Sequence, residues 1–260
     1  MPSFRALRPE DIQSKATPGD PEDVVTSADQ AAERLFVERL RPLVPDAAVI
    51  GEESVAEDPA LLSLLSSSRH AWLIDPIDGT KNFARGNPDF GLMIALVESG
   101  LARVSWMAVP AAPGGAYLVT AERGRGTRIN GTTVTTRRTV GAKPRGTVHT
   151  KMMAPESARE VEDLLRDRYD VRISTGSAAT EYSAVLRGEK DFVIYYRLLP
   201  WDHAPGALAI SEAGGTAMHL DGAAYTPLSP NQITIFAATA ELAETVRGWL
   251  TRGHDVSVSR

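Results

Sequence analysis

Asp75 and Asp78 stand three residues apart in the run W-L-I-D-P-I-D-G-T-K-N-F, residues 72–83, followed at once by Gly79 and Thr80. The apolar run over 71–74 reads as a strand, and Pro76, which has no backbone donor, is expected to end it. The two carboxylates then lie at a strand end, beside a glycine that lets the chain turn and a hydroxyl where a helix can start. Such an arrangement can hold a divalent metal and a phosphate together. Hard cations take oxygen ligands, usually a few carboxylates completed by water and substrate phosphate. The N–H groups of a turn entering a helix, here Gly79 and Thr80, suit a phosphate. Two further acids fall at element ends, where side chains can converge: Glu52 after Gly51, and Asp202 after Pro200-Trp201. Four carboxylates in one place repel unless cations neutralise them. Two metals about 4 Å apart could then clamp the attacking and leaving oxygens of a phosphoryl displacement. Thr80, paired with Asp29, could orient and deprotonate the attacking water. Gly176, Ser177 and Ala178, at a second strand-to-helix turn, could add phosphate donors.

Each piece alone also has a structural explanation. Asp-Gly is a common turn, Glu52-Glu53 reads as a solvated surface pair, and Asp202 and Asp29 can be helix caps. Lys15 reads as a surface lysine, and His203 is assigned a structural role. Co-occurrence of all the acids favours the chemical reading.

The totals are compatible with it. The chain has 260 residues, 43% apolar and 23% charged, which suits one large domain or two fused lobes. A net charge of −5 gives no nucleic-acid footprint and fits a protein that gathers carboxylates around a cation. The chain has no cysteine, which excludes disulfides, thiolate zinc sites and a cysteine nucleophile. No apolar run approaches the roughly 20 residues of a membrane helix, and the N-terminus has no signal-peptide core, so a cytoplasmic protein is expected.

The elements that must position these residues follow from periodicity and turn signals. Ser14–Asp20 reads as a loop. Residues 27–29 cap a helix from about Gln30 to Leu40, and 48–50 form a short strand before Gly51-Glu52. Residues 60–65 are a short helix. Strands over 90–97, 104–109, 115–121 and 123–130 make an antiparallel meander, with Asn130-Gly131 as a hairpin signal. Beyond 140 the pattern alternates. A helix spans 155–169, a strand 171–174, a small-residue helix 178–186, and a strand 191–196. A second small-residue helix over 204–213 is closed by Gly214-Gly215, and a strand at 233–237 precedes a helix at 240–250. The first half is α+β and the second α/β. We expect an N-terminal lobe over 1–140, carrying the antiparallel sheet and most of the ligands, and a C-terminal lobe over 141–260, together one functional domain.

The chain resembles the inositol monophosphatase family, within the superfamily that includes fructose-1,6-bisphosphatase. The motifs are D-V-V-T-S-A-D at 23–29, G-E-E-S at 51–54, D-P-I-D-G-T-K-N-F at 75–83, A-E-R-G-R-G-T-R-I-N-G at 121–131, G-S-A-A at 176–179 and W-D-H-A-P-G-A-L-A-I-S-E-A-G-G at 201–215, in the family's order. The resemblance implies a layered αβαβα sandwich and Mg²⁺-dependent, lithium-sensitive hydrolysis of a small phosphate monoester such as inositol monophosphate. It implies that Glu52, Asp75 and the Ile77 carbonyl hold one metal, that Asp75, Asp78 and Asp202 hold a second, and that Glu52 helps with a third. Thr80 and Asp29 would position the water, and Lys15 falls where the family carries a mobile-loop lysine near the metals. Homodimers are the common assembly.

The chain departs from the pattern in three places. Only thirteen residues precede Ser14, where the family has a long first helix, which fits a truncated start or a shortened lobe. Seven residues before Asp202, where inositol-selective members carry a glutamate, stands Tyr195, which cannot accept from a diol as a carboxylate does. H-A-P-G follows the W-D, with Pro205 expected in a helix's first turn. Tyr195 keeps other alcohols in view, including histidinol phosphate and 3′-phosphonucleotides. A rival of another class is a regulatory or scaffold protein that binds a macromolecular partner. An aspartyl-phosphate phosphatase is disfavoured because its acids are spaced D-x-D.

Overall fold

The computed structural model describes residues 11–15, 24–112, 115–136, 140–150 and 152–251. Most of the expected loop, and the first ten residues where a first helix was in question, lie outside them. Strand β1 (Ile12–Ser14) pairs antiparallel with β2 (Val24–Thr26), so Ser14 is strand and not loop. Helix α1 (Ser27–Leu40) starts earlier than expected because Thr26 is its cap: Thr26 Oγ1 accepts from the Ala28 and Asp29 amides, and the Asp29 carboxylate accepts from the Thr26 amide. Strand β3 (Ala48–Gly51) runs into α2 (Glu52–Glu57), a 3₁₀ turn at Pro59–Ser63 and α3 (Leu64–Ser67).

Strand β4 (His70–Asp78) corrects one expectation, because Pro76 does not end it. The pairing with β5 (Gly91–Glu98) jumps from Asp75↔Met93 to Asp78↔Gly91. The ladder skips Pro76 and Ile77, so the missing donor leaves no unpaired register position. Helix α4 (Thr80–Ala84) lies between β4 and β5. The meander continues through β6 (Leu101–Val109), β7 (Tyr117–Glu122), β8 (Gly126–Ile129) and β9 (Thr132–Val134). These build a seven-stranded sheet, β3-β4-β5-β6-β7-β8-β9, antiparallel except for the β3–β4 pair.

The second half supplies β10 (Arg145–His149), α5 (Pro155–Leu165), β11 (Asp170–Val171), α6 (Ala178–Leu186), β12 (Phe192–Tyr195), α7 (Pro200–Glu212), β13 (Thr216–His219), β14 (Thr234–Ala237) and α8 (Ala240–Thr251). The expected strand over 171–174 shrinks to two residues, and β13 was missed. The sheet order is β11-β10-β12-β14-β13, with β10 parallel to both its neighbours. Helices α6 and α7 pack between the two sheets. Helix α1 covers the outer face of the large sheet, and α5 and α8 cover the outer face of the small one. The result is the five-layer αβαβα sandwich.

The middle layer explains its own composition. Helix α7 is buried on every side from Trp201 to Ile210 apart from Asp202, so it reads as small and apolar with no polar stripe. Close packing needs Gly206, where a Cβ would fall 2.0 Å from the Tyr182 ring. Pro205 sits inside α7, past its first turn, because the helix begins at Pro200 and not near Ala204. The helix therefore carries Asp202 within its first turn, at its polar end.

Candidate metal and phosphate site

Three carboxylates from three elements converge. Glu52 opens α2, Asp75 lies at the β4 bulge and Asp202 in the first turn of α7. One oxygen from each lies within 4.8 Å of the others. Asp75 is 2% exposed, and its Oδ1 is buried with no hydrogen-bond partner. Burial first, then the charges of Glu52, Asp78 and Asp202, push the Asp75 carboxyl well above the usual range. Asp202 is raised in the same way by burial, Glu52 and Asp78, with Arg197 and Lys15 opposing. Buried acids this close with an unpartnered oxygen fit a divalent cation, since a cation supplies both the missing partner and the missing charge.

Asp78 ends β4 behind this trio. Its Oδ1 accepts from the Ala178 amide at 3.0 Å, and its Oδ2 from Ser177 Oγ at 2.5 Å and the Ala179 amide at 2.6 Å. Burial lifts its carboxyl to about 6 despite these three donors. The expected phosphate donors at this turn are therefore engaged with Asp78, and the Gly176 amide donates to Ser174 Oγ at 3.2 Å. The turn instead fixes Asp78, with the α6 amides holding the carboxylate as a helix N-terminus holds an anion.

Gly79 has φ +84°, and a Cβ there would meet the Asp89 carbonyl and Ser177 Cβ at 3.0 Å each, so the turn after Asp78 requires glycine. Thr80 Oγ1 lies 3.1 Å from Asp29 Oδ1 and 2.9 Å from the Ile77 carbonyl. Its one proton serves one of these acceptors at a time, which leaves its lone pairs able to accept. Asp29 thus both caps α1 and pairs with Thr80, and burial raises its carboxyl.

Lys15 is not a loose surface residue. Its Nζ is 2.8 Å from Glu52 Oε1 and 2.9 Å from Glu53 Oε1, with the side chain 8% exposed. Burial lowers its pKa, but the two carboxylates outweigh this and hold it charged. Glu53, expected in solvent, is buried, and burial and Glu52 raise it to about 7 against the pull of Lys15. Glu33, unflagged in the sequence, accepts from the Glu53 and Ser54 amides and so fixes the start of α2 under Glu52.

His203 has the structural role expected. It donates from Nε2 to the Arg197 carbonyl at 2.8 Å, which leaves Nδ1 to accept from Tyr182 Oη at 2.6 Å, and burial lowers its pKa to about 3. Tyr195 lies against His203, ring centroids 4.6 Å apart. Its other neighbour, His149, was missed, as was the buried Glu181–Lys190 pair. The one available signal was a glutamate at position 181, inside the small-residue helix.

Known proteins share this fold. Residues 3–250 match the model of the inositol monophosphatase family. The chain is 32% identical over 212 residues to the fructose-1,6-bisphosphatase/inositol-1-monophosphatase of Thermotoga maritima, covering 81% of this chain and 77% of that one. It is 33% identical over 207 residues to the Nus factor SuhB of Escherichia coli K12, covering 77% and 73%. Among solved structures, the Thermotoga maritima IMPase superposes with a TM-score of 0.75 at 27% identity, covering 93% of this chain and 87% of that one. Relatives named as phosphatases and relatives named Nus factor SuhB thus match with similar identity, and the chain belongs to the inositol monophosphatase family.

Proposed function

We propose that the protein is a Mg²⁺-dependent phosphatase that hydrolyses a small phosphate monoester by direct attack of water. The observation that carries this is the convergence of Glu52, Asp75 and Asp202 on one point, with the Thr80–Asp29 pair at its edge. Glu52, Asp75, Asp78, Asp202 and the Ile77 carbonyl would hold two Mg²⁺, with Glu52 shared to a third. The ions, when bound, supply Lewis acidity toward the attacking water and the phosphoryl oxygens. The protein's own part is positional. Thr80 Oγ1 donates to Asp29 and accepts from the water, which aims the water's lone pair and gives its proton a route to a raised carboxyl. The turn at Gly79 and Thr80 presents backbone N–H groups to the phosphate. The P–O bond to the alcohol breaks as the water oxygen bonds to phosphorus, giving inorganic phosphate and the free alcohol.

Inositol monophosphate or another sugar or polyol phosphate is the family-level substrate. Tyr195, in place of a carboxylate, favours a second set: histidinol phosphate or a 3′-phosphonucleotide. A panel of these esters, with Mg²⁺ and with or without Li⁺, tests the reading. Turnover that needs Mg²⁺ and is inhibited by Li⁺ is the expected result, and no turnover of any ester would overturn it. The SuhB resemblance supports a regulatory alternative, in which Asp75→Asn would abolish hydrolysis and leave the cellular phenotype intact. A cytoplasmic homodimer is the proposed setting. Among the described residues, no helix is long and apolar enough to cross a membrane.

A further inference from the structure

One wall beside the acidic cluster is built at the carboxyl ends of β10 and β12. These strands run parallel and in register, so their last residues, His149 and Tyr195, are partners across the ladder. Their rings stack with centroids 4.2 Å apart and planes at 8°. In α/β sheets, ligands bind in the crevice outside the carboxyl ends of parallel strands. The charges of Asp78, held by the start of α6, and of Asp202, in the first turn of α7, act on Tyr195 at that crevice. Burial, then the charges of Glu181, Asp78 and Asp202, keep the Tyr195 phenol protonated and able to donate.

Two atoms of this wall, Tyr195 Oη and His149 Nε2, are buried without a hydrogen-bond partner. Buried polar atoms in folded proteins are nearly always paired, so these two, side by side at one strand end, call for a partner that the protein does not supply. The carboxylates around them are already engaged. Glu181 Oε1 accepts from the Thr175 amide at 2.8 Å and Thr175 Oγ1 at 3.1 Å, and its Oε2 accepts from Lys190. Asp78 is held by the start of α6, with its remaining lone pair left for the metal side of the proposed site. A polyol needs several donors and acceptors around its hydroxyls, whereas this wall is mostly flat ring surface with few polar atoms, each able to make a single contact. Burial also lowers the pKa of His149 and leaves an uncharged π-face, with the side chain 22% exposed while Tyr195 covers one side.

We infer that the His149–Tyr195 stack is the leaving-group subsite, and that it selects phosphate monoesters whose alcohol carries a flat heteroaromatic ring over those of fully hydroxylated polyols. This rests on the phosphatase reading above. His149 supplies the stacking face, Tyr195 braces it from behind, and Tyr195 Oη, close to Asp78 and Asp202, donates to the alcohol side of the ester.

The test measures phosphate release at saturating Mg²⁺ from adenosine 3′-monophosphate, histidinol phosphate, inositol 1-phosphate and glycerol 2-phosphate. The first two separate a nucleobase from an imidazole as the preferred ring. For the wild type, kcat/KM for the better ring-bearing ester exceeds that for both polyol esters by at least about tenfold, the scale of one base–aromatic stack. His149→Ala lowers that value about tenfold, mainly through KM, and lowers the glycerol 2-phosphate value by much less, so the ratio between the two esters falls. His149→Phe restores the ring-bearing ester. If His149→Ala does not fold, His149→Leu against His149→Phe reads the same contrast. Equal losses for both kinds of ester, or a wild type that prefers a polyol, overturns the inference and leaves the phosphatase reading standing. No hydrolysis of any ester removes both.

Discussion

Asp75→Asn should stabilise the metal-free protein and destroy its response to metal. Asp75 shares a 4.8 Å neighbourhood with Glu52 and Asp202. At an effective dielectric constant near 20, two unit charges at that distance repel by about 3–4 kcal/mol. That is a ceiling, because a crowded carboxyl takes up a proton at a cost of about 1.4 kcal/mol per pKa unit. The orphaned Asp75 Oδ1 loses no hydrogen bond on substitution, and asparagine has nearly the same shape. A net gain of roughly 2–3 kcal/mol at pH 8 follows. For a chain of this size that is roughly 5–10 °C in Tm. The carboxyl's folded pKa is raised, so it favours the native state at low pH and progressively disfavours it as pH rises. The gap between variant and wild type should therefore widen from pH 5 to pH 8. With Mg²⁺ at a thousand times Kd the order reverses: the wild type gains about 4.1 kcal/mol, and the variant gains little. Thermal melts in EDTA and in Mg²⁺, at both pH values, read all four conditions. An Asp75→Asn protein several degrees less stable than wild type in EDTA at pH 8 would refute the reasoning.

Three further outcomes follow from the same geometry. The metal-free wild type should lose stability as pH rises from about 4 through 7, because Asp78 at about 6 and Glu53 at about 7 bind protons more tightly when folded. Asp78 alone accounts for about 3 kcal/mol in order of magnitude, and a Tm in EDTA that rises over this window contradicts it. Thr80→Ala should lower kcat by about 10²–10⁴ with the Mg²⁺-induced Tm shift intact; a lost shift would make Thr80 a structural support of the metal site. Lys190→Met leaves Glu181, fully buried, with an unpaired charge under Thr175, and should cost roughly 3–5 kcal/mol in stability. The double variant with Glu181→Leu should recover most of that in denaturant melts, and failure to recover would show that the pair is not the cause.

Much of the site was legible because its residues sit where the chain changes element. Proline, glycine and short polar side chains mark such places locally, so Glu52, Asp75 and Asp202, which the structure brings together, stand out as candidates without a contact map. Asp29 was legible as a helix cap for the same reason, although the structure shows that it closes a capping box with Thr26, one residue before the expected cap. Pro76 misled because a proline reads as a stop in isolation, whereas pairing with β5 absorbs it in a bulge. Gly176–Ala178 misled because a free helix start attracts any anion, and only the fold shows that the anion is Asp78.

The sequence by itself determined the acidic set, the turn that presents it and the family, since these depend on residue types at short fixed spacings. The tertiary structure alone decided what surrounds that set. The burial of Glu53 under Lys15, the engagement of Glu181 by Lys190 and the stacking of His149 on Tyr195 join residues 9 to 46 positions apart. No periodicity encodes such contacts. They arise because β10 and β12 align in parallel and because β1 returns along β2, which only the packed chain fixes.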